Sequence, residues 1–182
     1  MNNQHTRPLP LFGKHIQLRR LVPTDIAPFQ GYRHDAEVGL YQGWSPMSDA
    51  EAMAFIVDMQ SSALFAPGIW NQIAVANAQT NALIGDIGVC VATALKSAEI
   101  GFTLQREAQG RGFATEAVSC AIAMLFEHTP ITQVMAITDA RNLASIRLLQ
   151  RIGMRQVTAQ AAVFKGEPCM EITFVLTKRD GG

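Results

Sequence analysis

The segment from Gln105 to Val118, QREAQGRGFATEAV, places two glycines around an arginine and runs directly into a periodic apolar stretch. Residues of these types suit an anion. Glycine lets backbone approach a ligand without a Cβ in the way, and the unpaired N–H groups of a following helix converge at its positive end. Gly110 and Gly112 would open the backbone to such an anion, with a cation from Arg111 and side-chain hydrogen bonds from Gln109. A second N-terminal signature lies at Asn142, whose residue type suits an N-cap, with Ser145 three positions on.

Three phosphate ligands compete for the loop, beside the plain reading of a solvent turn before a helix. A mononucleotide site of the Walker type needs G-K-[ST] at the helix start, and the chain reads GFAT. A dinucleotide site needs G-x-G-x-x-G, and Thr115 stands where the third glycine belongs. Asp139 imitates the ribose-binding acid of such folds, yet this loop follows several antiparallel-type strands rather than opening a domain. A coenzyme A diphosphate is the third ligand.

Positioning these residues requires a sheet. Residues 15–21 alternate as a first strand, and Pro23-Thr24-Asp25 starts a helix to about His34. Ser48 and Glu51 have capping-box spacing, and Ala52, Phe55, Ile56 and Met59 continue at helical period. Strands are expected at 73–76, 82–92 and 98–104 as an antiparallel meander. A helix from Gly112 to about Phe126 follows, with Ala114, Ala117, Val118, Ala121, Ile122 and Leu125 on its apolar face. Then come a buried-type strand at 133–138, a helix from Asn142 to Ile152 ended by Gly153, and strands near 154–158 and 170–177. The order is that of a mixed α/β (α+β) sandwich around a sheet, and 1–182 reads as one domain.

Bulk properties narrow the function. The 182 residues are 48% hydrophobic and 16% charged, with formal net charge zero, which argues against nucleic acid as a partner. Cys90, Cys120 and Cys169 form no C-x-x-C pair, and Cys90 and Cys120 read as buried structural thiols. His5, His15, His34 and His128 lack metal-ligand spacing, so no metal is expected. MNNQHTRPLPLFG has no apolar leader core and no run is long enough to cross a bilayer, pointing to a soluble, cytoplasmic protein without a membrane partner.

The segment Q109-G-R-G-F-A114 matches the Q/R-x-x-G-x-G/A motif of the GNAT superfamily of acyl-CoA-dependent N-acetyltransferases. AEIGFTL, QGRGFATEAV and TDARNLASIRLLQRIGM, together with LRRLVPTD and HDAEVGLYQGWSPMSDAEA at the front, resemble its RimJ/RimL-type branch, which includes ribosomal-protein N-terminal acetyltransferases. The likeness covers nearly the whole chain. It implies the GNAT fold, about seven strands flanked by about four helices, with acetyl-CoA as co-substrate and an amine as acceptor.

The resemblance also implies roles. The strand before the loop parts from its parallel neighbour, and main chain of Phe102, Thr103 and Leu104 holds the pantetheine arm in the gap. Amides from Gln109 through Thr115 bind the diphosphate. Asn142 bonds the pantetheine, and Ser145 approaches the sulfur as partner of the departing thiolate. Glu99, matching the E-I-G-[YF] glutamate, is the candidate base; its plain reading is a strand-end surface carboxylate. Many superfamily members carry a tyrosine acid four residues after that serine, where this chain has Leu149. The thiol of coenzyme A, with a pKa near ~8.5, leaves tolerably without one.

In that family the acceptor pocket is shaped by the region corresponding to YQGWSP (41–46). Tyr41 and Trp44 would form an aromatic wall there and Glu37 would attract a cationic amine, or the aromatics clamp two helices. Trp70 reads as core. A protein N-terminal α-amine is the leading acceptor; a small amine such as an aminoglycoside or polyamine, or a non-catalytic acyl-CoA sensor, is the alternative. Relatives often form homodimers, which leaves that partner open.

Overall fold

The computed structural model describes residues 8–178; His5 and the N-terminal segment through residue 7 lie outside them. Eight strands form one mixed sheet: β1 (Leu11–Phe12), β2 (Ile16–Arg19), β3 (Trp70–Asn77), β4 (Leu83–Val91), β5 (Ser97–Leu104), β6 (Gln133–Asp139), β7 (Arg155–Phe164) and β8 (Glu167–Thr177). Four helices accompany it: α1 (Ile26–Arg33), α2 (Asp49–Ser61), α3 (Phe113–His128) and α4 (Leu143–Arg151). The spatial strand order is β1-β2-β3-β4-β5-β6-β8-β7. Every neighbouring pair is antiparallel except β5 and β6, which are parallel. The added strand, β1, has two residues, too short to leave an alternation in the sequence.

The expected caps are present. Ser48 Oγ accepts from the Glu51 amide at 3.3 Å while the Glu51 carboxylate accepts from the Ser48 amide at 2.8 Å, fixing the start of α2. The Asn142 side-chain oxygen accepts from the Ser145 amide at 3.2 Å and starts α4. Gly153, at φ +86°, follows α4 in the left-handed conformation that ends helices.

Burial divides by sheet face. On β5, Ala98, Ile100 and Leu104 enter a core shared with Ala117, Val118, Ala121, Ile122 and Leu125 of α3, and Phe102 packs against it. A second cluster, Phe29, Tyr32, Ala52, Ile56 and Met59, joins α1 and α2 to Ala74 and Leu83 on the sheet. Because strand side chains alternate, Glu99, Gly101 and Thr103 face away from the α3 core. Two sequence expectations need correcting. Cys90 and Cys120 are half-buried rather than buried, and Trp70 is 44% exposed. No helix among the described residues is long and apolar enough to cross a membrane.

One polar cluster is buried. Asp86 of β4, 3% exposed, accepts from Tyr32 Oη at 2.5 Å and Arg33 Nη2 at 2.9 Å. Burial, then the Asp86 charge, holds the Tyr32 phenol well above its ordinary pKa. The Arg33 guanidinium lies 4.7 Å from the Phe29 ring centre and 4.6 Å from that of Trp44. Asp86 is paired in register with Thr103, so this cluster backs the strand that carries the site.

Candidate active site

β5 and β6 pair at Ser97–Gln133, Ala98–Val134 and Glu99–Met135, and then part. β4 stays paired with β5 as far as Leu104. The edge of β5 beyond Glu99 that faces β6 therefore has no strand partner among the described residues. An open edge of this kind needs hydrogen-bonding groups from elsewhere. Two side-chain amides supply some: Gln42 Nε2 donates to the Phe102 carbonyl at 3.3 Å, and Gln109 Nε2 to the Leu104 carbonyl at 2.9 Å.

The gap between the strands opens into a cleft of about 510 Å³. Phe102, Thr103 and Leu104 form one wall, Gln109, Gly110, Gly112, Ala114 and Thr115 one end, and Asn142 and Ser145 the α4 side. Gly110 (φ +71°) and Gly112 (φ +82°) are both left-handed, and Gly112 is the N-cap of α3. A Cβ at either would meet nothing within 4 Å. Glycine is thus required by conformation, and open space lies beside it at the positive end of a 16-residue helix. These features fit the diphosphate and arm of coenzyme A.

Several expected site residues behave differently. Gln109 turns its side chain back to Leu104, and its main-chain amide donates to the Arg106 carbonyl at 3.1 Å, so the cradle for a ligand begins at Gly110. Arg111 stacks over Phe113, 4.8 Å from the ring centre, and Phe113 is buried; neither lines the cleft. Glu37 lines it but is paired with Arg106, which also binds Asp35 at 2.7 Å, so no free carboxylate awaits a cationic amine there. The hydrogen bonds from Arg106 hold the Asp35 carboxyl below its ordinary pKa. Trp44 is absent from the cleft wall and stacks on Arg33, the helix clamp rather than the aromatic wall. Tyr41 lines both the cleft and a smaller neighbouring cavity. Leu149 is fully buried in the core, away from the cleft.

Glu99 is the last β5 residue paired before the fork, half-buried on the face away from α3. Burial raises its carboxyl pKa, and the Glu171 charge raises it further. In a row across that face, Trp70 stands opposite Cys90 and Cys90 opposite Glu99. Burial and then the Glu99 charge push the Cys90 thiol up.

Two residues escaped the sequence reading. Glu171 lines the smaller cavity, about 60 Å³, with Tyr41, Ile137, Asp139 and Phe164. Asp139 there is held below its ordinary pKa by hydrogen bonds from Arg141. Trp70 reads as core because it precedes an apolar run, but register places its exposed ring on the Glu99 face. Nothing local in the sequence pairs Glu171 or Trp70 with Glu99. Among the described residues no group of three or more His, Cys, Asp or Glu could hold a metal ion.

Solved structures share this architecture. RimL, the ribosomal L7/L12 alpha-N-protein acetyltransferase in complex with coenzyme A, superposes with TM-score 0.77 at 15% identity, covering 93% of this chain and 97% of that one. Spermidine N-acetyltransferase from Vibrio cholerae in complex with CoA and spermine superposes with TM-score 0.78 at 18% identity, covering 91% of this chain and 97% of that one. By sequence, the uncharacterized N-acetyltransferase p20 of Bacillus licheniformis is 27% identical over 147 residues, 80% of this chain and 82% of that protein. Residues 15–155 match the acetyltransferase (GNAT) domain, most of the chain. The chain belongs to this GNAT acetyltransferase family and is an acetyl-CoA-dependent acetyltransferase.

Proposed function

We propose that the protein transfers the acetyl group directly from acetyl-CoA to a protein N-terminal α-amine, as a RimJ/RimL-type enzyme built from one domain spanning 1–182. The observation that carries the reading is the half-buried Glu99 at the fork, a carboxylate of raised pKa beside an open strand edge. At pH 7 freeing an α-amine of its proton costs about 1–1.4 kcal/mol, against about 4.5 for a lysine. One moderately basic carboxylate, directly or through water, suits the first task. Loop amides of residues 110–115 and the main chain of Phe102, Thr103 and Leu104 hold the coenzyme, and Asn142, whose oxygen caps α4, keeps its NH₂ for the pantetheine.

The amine nitrogen bonds to the thioester carbonyl carbon, its proton passes to Glu99, and the C–S bond breaks. Charge building on the carbonyl oxygen meets a β5 main-chain N–H, and the departing thiolate takes a hydrogen bond from Ser145. Tyr41 and Trp70 wall the acceptor side. A small polyamine is the second reading, favoured by the coupling of Glu171 to Glu99, two carboxylates that would attract a cation. Coenzyme A release measured with N-terminal peptides, ribosomal protein, spermidine and an aminoglycoside decides. Turnover on peptides with none on free amines supports the proposal; turnover confined to the small amines overturns it.

Two further outcomes are expected. Gly112→Ala forces a Cβ into φ +82°, which costs about 1–2 kcal/mol. Coenzyme A affinity measured by calorimetry should fall by roughly 5- to 30-fold, and an unchanged affinity would show that binding does not need this loop conformation. Glu171→Gln removes a like charge, so Glu99 ionises more readily. The acid limb of the kcat/KM profile should move to lower pH, and an unmoved limb would separate the two carboxylates.

A further inference from the structure

Arg147 and Arg151 of α4 also line the large cleft. They stand four residues apart, hence on one face of the helix, where like charges repel. Neither is paired with a carboxylate among the described residues, and α4 carries no acidic residue. Other arginines near the site are engaged elsewhere: Arg106 by Asp35 and Glu37, Arg141 by Asp139, and Arg111 by the Phe113 ring, outside the cleft wall. A cation in the last turn of a helix is favoured by the dipole, which accounts for Arg151 alone. Arg147 sits mid-helix and has no such reason to be there.

The two guanidiniums are spread along the helix. At about 1.5 Å per residue, Arg147 lies roughly 7 Å and Arg151 roughly 13 Å along the axis from Asn142. They form a basic wall on the α4 side, distinct from the backbone cradle of the glycine loop. A planar guanidinium donates paired hydrogen bonds to phosphate oxygens. Coenzyme A carries two separate phosphate groups, the diphosphate and a monophosphate on the ribose 3′ position. With the diphosphate assigned to the loop amides, the second anion needs its own partner.

We propose that Arg147 and Arg151 bind the ribose 3′-phosphate of coenzyme A and make the enzyme discriminate against the 3′-dephospho form. The inference rests on coenzyme A occupying the cleft as assigned above. Both side chains are exposed, so their replacement leaves the core intact.

The test is calorimetric titration of wild type, R147Q/R151Q and R147K/R151K with coenzyme A and with 3′-dephospho-coenzyme A. Wild type should bind coenzyme A tighter by on the order of 10- to 100-fold. In R147Q/R151Q the two affinities should converge to within about threefold, through loss of coenzyme A binding alone. R147K/R151K should restore part of the difference, since it keeps charge without the paired donors. Equal wild-type affinities, or an equal loss for both ligands in R147Q/R151Q, overturn the inference while leaving the cleft assignment standing. Wild type binding neither ligand overturns both.

Discussion

Glu99→Gln should lower kcat by about 10²- to 10⁴-fold, the range typical of a lost general base, while leaving coenzyme A affinity within about twofold. Glutamine is nearly isosteric, keeps hydrogen-bonding capacity and accepts no proton. Glu99 is half-buried at the fork and outside the wall of the large cleft, so its loss should not disturb the coenzyme. The sign of the pH effect follows from its raised pKa. Activity should fall as pH drops through that pKa, because the carboxylate is then protonated. In the variant this acid limb should disappear and the residual rate should rise with pH, as the amine deprotonates unaided. Unchanged turnover of Glu99→Gln across pH 6–9 would remove Glu99 from the chemistry.

The other large effect is on stability. Asp86→Ala should cost about 3–5 kcal/mol, because it strands the buried Arg33 guanidinium and the Tyr32 hydroxyl without their acceptor. For a chain of this size that is a Tm decrease on the order of 10 °C. The consequence extends to the site. Asp86 lies opposite Thr103, and Arg33 is stacked beneath Trp44, three residues from Tyr41 and two from Gln42. Variants that remain folded should show a raised acceptor KM. Chemical unfolding with the wild-type midpoint would show the cluster to be energetically neutral.

Much of this was legible locally. The capping box at Ser48, the N-cap at Asn142 and the glycine turn after α4 are short-range hydrogen-bonding and φ requirements, and each stands where its residues lie. The apolar face of α3 was legible for the same reason, because 3.6-residue periodicity is a property of consecutive residues. Where the reading failed, the contact was long-range. Glu37 looked free until Arg106, 69 residues away, came beside it. Trp44 could be a pocket wall or a helix clamp by sequence, and its stacking on Arg33 favours the clamp. Gln42 had no visible role until the chain brought it to the Phe102 carbonyl, 60 residues on.

Residue types and their spacing were enough for every strand and α-helix but β1, for the glycine loop at the mouth of α3 and for the family, since each depends on neighbours along the chain. Folding in three dimensions was needed to show that β5 and β6 separate after Glu99, that the Glu171 charge acts on that carboxylate, that Trp70 stands beyond Cys90 on the same sheet face, and that Arg147 and Arg151 have no acidic partner among the described residues. Strand register and charge pairing are set by which distant groups meet when the two cores close on the sheet, and no local pattern encodes that meeting.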